Sequence, residues 1–293
     1  MKAKTQTSSF GVSKRIGHDS KKFYQSKLYE GVIVQKNKKK YENLIQKDKM
    51  NQIYDHSSEQ MNEIPDNSIH LMVTSPPYNV SKDYDEDLSL NQYLEFLKNV
   101  FRETKRVLVE GGRVCINVAN IGRKPYIPLT THINTVMLEL GFLMRGEIIW
   151  DKSASSGVSM AWGSFKSASN PVLRDTHEYI LIFSKGDFKR EKNNKNDSIS
   201  KDDFMQWSKS VWQFNAISAK KIGHPAPFPI ELPRRLIEFY SFEDDIILDP
   251  FIGSGTTAIA ALQLNRNYIG YEINAQYLKL ANKRITELKN TLF

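Results

Sequence analysis

The residues with the most chemistry to offer are Val73-Thr74-Ser75-Pro76-Pro77-Tyr78-Asn79. Two successive prolines fix φ and remove two N–H donors. The turn they form therefore displays acceptors only, the Ser75 hydroxyl oxygen and the prolyl carbonyls, and suits a ligand that donates from an amino group. Tyr78 beside it offers a flat face for stacking a base. A second stretch, Asp249-Pro250-Phe251-Ile252-Gly253-Ser254-Gly255-Thr256-Thr257, begins 174 residues beyond Ser75. Its glycines let the backbone approach a ligand closely and leave the N–H groups of a helix N-terminus facing it. Asp249 would repel a pyrophosphate but suits a cationic ligand bearing an ammonium group. Glu272 ends the next apolar run, where a carboxylate can accept hydrogen bonds from both hydroxyls of a ribose. Gly253 to Ala258 also fits the loose G-x-G-x-x-G/A pattern, so a nicotinamide or flavin enzyme, or a glycine turn that merely packs strand on helix, stands beside this reading.

Such groups need a scaffold, and the chain beyond about residue 50 alternates short apolar runs with helical patterns, as α/β proteins do. Strands are expected at 69–74, 113–118, 146–150, 178–183, 246–248 and 268–271. Helices are expected at about 90–108, 130–140, 232–240, 256–264 and 274–288. The first of these should stop at Gly111-Gly112. Residues 151–176 are rich in Ser, Gly and Ala, while 185–203 are polar without periodicity and read as a loop or a disordered insert. No repeat is evident.

Of the chain's 293 residues, 41 are Lys or Arg and 33 Asp or Glu, a net charge of +8. Residues 1–50 hold 13 basic and 4 acidic residues, so the excess lies wholly in this segment, densest at Lys36, Lys38, Lys39 and Lys40. It reads as a solvated terminus or as an arm on a phosphate backbone. A single cysteine, Cys115, excludes a disulfide framework and a multi-cysteine metal site. Inside an apolar strand it reads as packing. His224, flanked by prolines, has no second ligand at metal spacing, so no metal is expected and a structural or cofactor contact is the better reading. No run approaches a membrane span and no signal peptide is evident, which points to a soluble protein of the cell interior.

The stretch from about residue 50 to the end resembles the amino-methylating DNA methyltransferases that use S-adenosylmethionine. VTSPPYN is similar to their catalytic motif and DPFIGSGTT to their methionine-binding motif. The catalytic motif comes first, as in the β-type, circularly permuted arrangement. His224-Pro225-Ala226-Pro227-Phe228-Pro229, Ile53-Tyr54-Asp55 and Pro65-Asp66-Asn67-Ser68 match further motifs. The resemblance implies a Rossmann-like methyltransferase fold: a mixed seven-stranded sheet, mostly parallel with one reversed strand, and helices on both faces. It implies S-adenosylmethionine as cofactor, with Asp249, Phe251, Gly253 and Gly255 toward its methionine side, Thr256 and His224 as further cofactor contacts, Glu272 on the ribose and Asp55 on the adenine amine. Ser75, Pro76, Pro77 and Tyr78 would hold a target base extruded from duplex DNA. A cytoplasmic enzyme of a restriction–modification system, with a cognate endonuclease and a homodimer as partners, is the biological setting implied.

Ser75 preceded by Thr74 resembles the cytosine-N4 branch, and adenine-N6 is the alternative. Ring-carbon methylation is disfavoured, since it needs a cysteine nucleophile after a proline and Cys115 follows Val114. On this reading residues 1–48 form a basic segment and 49–293 the catalytic domain. Sequence recognition would fall near 151–176, with Lys152, Trp162, Lys166 and Arg174, and near 185–215. Trp162 and Trp207 can equally be packing. A nicotinamide-linked oxidoreductase leaves VTSPPYN unexplained, and a nucleic-acid binder without catalysis leaves the paired turns unexplained.

Overall fold

A computed structural model describes residues 6–7, 15–16, 24–30, 41–78, 88–152, 163–217 and 228–292. The chain divides into two compact units, Met1–Lys36 and Asn37–Phe293. In the first, Gln6–Thr7 pairs antiparallel with Arg15–Ile16, and Lys27–Tyr29 forms a single 3₁₀ turn. The Lys36–Lys40 cluster lies outside the described residues. The second unit begins earlier than the expected residue 49. Ile45 is buried in its core, Asn43 N–H bonds the Asn67 carbonyl, and Glu42 pairs with His70. The partners of 41–48 are distant in sequence, so nothing local marks them as part of this unit.

Apart from a 3₁₀ turn at Lys47–Lys49 and a two-residue pairing of Ile121–Gly122 with Tyr126–Ile127, the described elements of the second unit are β1 (Gln52–Tyr54), β2 (Ile69–Thr74), α1 (Leu90–Val107), β3 (Leu108–Val118), α2 (Leu129–Glu139), β4 (Phe142–Asp151), β5 (His177–Lys185), α3 (Lys201–Trp207), β6 (Val211–Gln213), α4 (Glu231–Tyr240), β7 (Ile246–Asp249), α5 (Thr256–Gln263), β8 (Asn267–Tyr271) and α6 (Ala275–Leu292). Among the described residues eight strands form one sheet in the order β6-β4-β5-β3-β2-β7-β8-β1. All neighbours are parallel except those flanking β5, the one reversed strand. The expected seven strands become eight because three residues, Val211–Gln213, add to the edge beside β4. So short a run carries no readable alternation.

Strand alternation splits the core between the two faces of the sheet. Ile69, Met72, Val114 and Ile116 pack under α1 and α2, whereas Leu71, Val73, Cys115 and Ile247 pack under α4 and α5. Cys115 is part of this packing, and burial holds its thiol well above the ordinary range. On α1 the stripe Tyr93, Leu97, Val100, Phe101, Thr104 and Val107 repeats at helical spacing. Ser89 and Gln92 close its N-terminus as a capping box, with Ser89 N–H to Gln92 Oε1 at 3.0 Å. The helix does not run to Gly111-Gly112. Strand β3 starts at Leu108, and the pairing with β2 shifts register between Leu108 and Arg113, so the glycines form a bulge. Gly111 has φ +78°, and a Cβ there would lie 2.5 Å from the Lys189 carbonyl oxygen.

The site follows from the connections. Chain leaving β2 crosses through α1 to β3 on one side, and chain leaving β7 crosses through α5 to β8 on the other. The two strands are adjacent, so their C-terminal ends diverge into a crevice at a topological switch point.

Candidate active site

The tips of β2 and β7 meet through buried hydrogen bonds. Thr74 Oγ1 donates to Asp249 Oδ1 at 2.6 Å, Thr257 Oγ1 donates to Oδ2 at 2.6 Å, and Phe251 N–H reaches Oδ1 at 3.1 Å. Asp249 is 1% exposed, and burial pushes its carboxyl up to about 6. It ties the acceptor turn to the glycine turn from behind, and Pro250 and Phe251, rather than Asp249, face the crevice.

A cavity of about 320 Å³ opens there, within the range typical of small-molecule sites. One half is walled by Ser75, Pro76, Pro77 and Tyr78. Tyr93 Oη, from α1, donates to the Pro77 carbonyl at 2.7 Å, so that acceptor is taken. Among the described residues no donor takes the Pro76 carbonyl. Ala119 N–H bonds Tyr78 Oη at 3.2 Å. Burial and the nearby Glu178 carboxylate hold the Tyr78 phenol well above its usual value, against a Ser75 hydrogen bond that favours the phenolate. Ser75 lines the same wall, and its hydroxyl oxygen can accept from an amine.

The other half is walled by Phe251, Gly253, Tyr271, Glu272, Ile273 and Tyr277, with Phe96 reaching over from α1. The Phe96 and Phe251 rings lie 5.7 Å apart. Glycines 253 and 255 both have positive φ. Glu272 accepts from Gly253 N–H at 2.9 Å and Asn274 N–H at 2.8 Å. Burial raises its carboxyl above the ordinary range, outweighing those bonds.

Several expected site residues stand elsewhere. Gly255 and Thr256 are buried behind the turn, and Thr256 meets Arg284 rather than the cavity. Asp55 is exposed at the tip of β1 and outside the wall, which is lined there by His56, Ser57 and Ser58. His224 lies outside the described residues, although Phe228 of its motif lines the cavity. His56 bonds the Ser57 carbonyl and Glu63. Burial draws its pKa down, but those bonds outweigh it and hold it above the usual value.

These groups fit an adenosyl ligand: one carboxylate held at a strand tip for a ribose, and aromatic walls for an apolar face. The sequence profile of the DNA methylase family matches residues 69–283. The chain belongs to that family. Its relatives include the type II methyltransferases M.MjaI of Methanocaldococcus jannaschii, 32% identical over 75% of this chain and 86% of that protein, and M.MthZI of Methanothermobacter thermautotrophicus, 34% identical over 80% and 76%. Among solved structures, a DNA modification methylase of Thermus thermophilus complexed with S-adenosyl-L-methionine superposes with a TM-score of 0.66 at 29% identity, covering 81% of this chain and 93% of that one. The PvuII cytosine-N4-specific methyltransferase shares the fold, with a TM-score of 0.63 at 19% identity over 81% of this chain and 90% of that one. S-adenosylmethionine is the cofactor of this DNA methylase, and the nicotinamide reading falls.

The Ser75 half of the wall also contains residues that sequence reasoning did not place in the site: Asn117, Trp150 and Glu178. Lys152, read from sequence as a DNA-contacting residue, stands in the same wall. Glu178 is the second residue of β5, and only the reversal of that strand brings its start to the end of the sheet where the others finish. The position of His56 just past a parallel strand was the available signal for its place in the wall.

The two irregular segments also separate. Residues 163–176 rise from the cavity end of β4 and β5, with Lys152 N–H bonded to the Thr176 carbonyl at 2.8 Å and Phe165 and Leu173 exposed. Residues 186–197 lie at the opposite end, where Arg190 and Lys195 pair with Asp245. Of the two readings of this stretch the loop holds, and it is fastened to the start of β7. Trp207 is packing, buried beneath Arg234 and Arg235, with its carbonyl accepting from Trp212 Nε1 at 3.0 Å. Trp162 lies outside the described residues.

Proposed function

We propose that the protein transfers a methyl group from S-adenosylmethionine to the N4 amine of a cytosine extruded from duplex DNA, at a specific sequence within a restriction–modification system. The observation carrying this reading is that the donor-free Ser75-Pro76 turn and the Gly253–Glu272 crevice line one cavity. Naming of the relatives as type II methyltransferases supports the restriction–modification setting. The choice of cytosine rests on the Thr74-Ser75 pair at the head of the turn.

Bound in the crevice, S-adenosylmethionine supplies a methyl group on a positively charged sulfur, open to attack by a nitrogen lone pair. Glu272 holds the ribose hydroxyls, Gly253 and Phe251 flank the methionine side, and His56, Ser57 and Tyr271 enclose the adenine end. Asp249 acts behind them by fixing both turns. An exocyclic base amine is a weak nucleophile, because its lone pair is delocalised into the ring. Ser75 Oγ and the Pro76 carbonyl accept its two N–H groups and draw the nitrogen toward tetrahedral geometry. Tyr78 stacks on the extruded ring. Extrusion costs a few kcal/mol, against which orientation of the reacting pair contributes on the order of 7–11 kcal/mol. No base is needed before attack, since the nitrogen sheds a proton readily once methylated.

Residues 163–176 contact DNA above the cavity, where the exposed Phe165 beside Lys166 suits a wedge between base steps. The basic N-terminal segment adds phosphate affinity that a near-neutral catalytic body lacks. The test is expression in a host free of DNA methylation, nucleoside mass spectrometry, and sequencing with modification detection. N4-methylcytosine at one recurring sequence is expected. N6-methyladenine would move the assignment to the adenine branch, and unmodified DNA would remove it.

A further inference from the structure

The cavity wall carries a second set of polar groups, which the acceptor turn does not use. Asn117, Glu178 and Lys152 stand at the cavity ends of β3, β5 and β4, the next three strands beyond β2, which Ser75 follows. Glu178 joins them, accepting from Lys152 Nζ at 2.5 Å and from Asn117 Nδ2 at 2.6 Å. Asn117 is 2% exposed, and its buried Oδ1 has no hydrogen-bond partner among the described residues. The Lys152 ammonium also lies 5.3 Å from the centre of the Trp150 ring.

Stability is a poor reason for this arrangement. Withdrawing an ion pair from water costs about as much as the pair returns, and leaving an amide oxygen unpaired costs roughly a further 1–3 kcal/mol. A ligand is the better account. Among the described residues of the wall, Lys152 is the one lysine or arginine, and His56 stands toward the β1 end of the sheet. An ammonium has three N–H donors and can serve Glu178 and a ligand acceptor together. The row from Ser75 to Lys152 thus runs from an amine acceptor to a fixed cationic donor. Cytosine and adenine present the complementary order along one edge, an amine followed by a ring nitrogen that accepts. Guanine and thymine carry a ring N–H at the corresponding position, which would face the ammonium donor to donor.

We propose that Lys152 donates to the ring nitrogen flanking the target amine, N3 in cytosine or N1 in adenine, while Glu178 and Asn117 position it. The inference rests on the base-extruding reading above and adds which atom of the base is recognised. It makes Lys152 the group that admits cytosine or adenine and rejects guanine and thymine.

The test uses the full chain and a synthetic duplex of the sequence found methylated, carrying either the natural target base or its deaza analogue with C–H in place of that ring nitrogen. Wild type should lose about tenfold or more in kcat/KM on the analogue beyond its intrinsic reactivity. Lys152→Met should fall by a similar factor on the natural base and show little further loss on the analogue, so that the two changes are not additive. Glu178→Gln should reduce the analogue effect in part. Calorimetry with S-adenosylmethionine and a thermal midpoint check the fold, and Lys152→Gln replaces Lys152→Met if the latter fails to fold. An active Lys152→Met enzyme with the full wild-type penalty on the analogue overturns the Lys152 assignment alone. Absence of methyl transfer by wild type to any DNA overturns the underlying reading and this one with it.

Discussion

Two aspartates four residues apart, at opposite ends of β7, are buried for different purposes. At the start of the strand, Asp245 is surrounded by His70, Arg190 and Lys195. Burial pushes its carboxyl upward, but those neighbours outweigh it and hold it below the ordinary range. Glu42 in the same cluster is brought down to about 2, chiefly by its hydrogen bond from His70. At the end of the strand, Asp249 has only hydroxyl and amide donors, and burial raises it to about 6. Glu272 beside it is raised for the same reason, with Asp249 adding to the effect. One end of the sheet has neutralised its carboxylates with its own cations. At the other, Asp249 and Glu272 have no basic partner among the described residues, and a cationic cofactor would supply one.

Four substitutions can break or sharpen this contrast. Asp245→Ala should have the largest effect, because it strands Arg190 and Lys195 against a buried site, and a loss of about 3–5 kcal/mol is expected by chemical denaturation. A loss under about 1 kcal/mol would show that the cations, not burial, find solvent there. Ser75→Ala comes next: methyl transfer should slow by roughly 10²-fold while S-adenosylmethionine affinity by calorimetry stays the same, in line with the loss of one polar group aimed at the reacting atom. Weakened cofactor binding with unchanged transfer would contradict the division of the cavity.

Tyr93→Phe releases the Pro77 carbonyl and should cost about 1 kcal/mol in unfolding free energy, with a smaller fall in transfer rate than Ser75→Ala. The subtlest is Asp249→Asn, read as stability against pH. With a folded pKa near 6 against an ordinary 3.8, the folded wild type binds more protons than the unfolded chain between those values. Its stability should therefore fall as pH rises through that window, and the cost is fully present above it. Asp249→Asn should flatten that decline while weakening cofactor binding. An unchanged slope would mean that the carboxylate is not the group responsible.

Much of the cavity was legible in the sequence because it is built from local turns. Ser75, Pro76 and Tyr78 occupy one turn, and Phe251 and Gly253 another, so the spacing that announces each also creates its geometry. Helix α1 was equally plain, since its stripe and capping box are properties of eighteen consecutive residues and the one before them. Where sequence reading went astray, the deciding contact was distant. Gly111 serves a bulge beside Lys189 and does not cap a helix, and residues 186–197 are held by Asp245 rather than free for DNA. Residues 41–48 belong with the catalytic unit through Ile45 and His70.

The sequence alone determined that a donor-free turn and a glycine turn exist, in an order that marks the permuted family, because prolines and glycines constrain their own backbone wherever they stand. Only the tertiary structure decided that Thr74 and Asp249 lock these turns together, that Asp249 sits behind the wall while Glu272 faces the cavity, and that Glu178 and Lys152 join the site. Those outcomes depend on which strands lie side by side and in which direction β5 runs. Strand neighbours and direction are settled by packing two helical layers on one sheet, so they have no local signature in the chain.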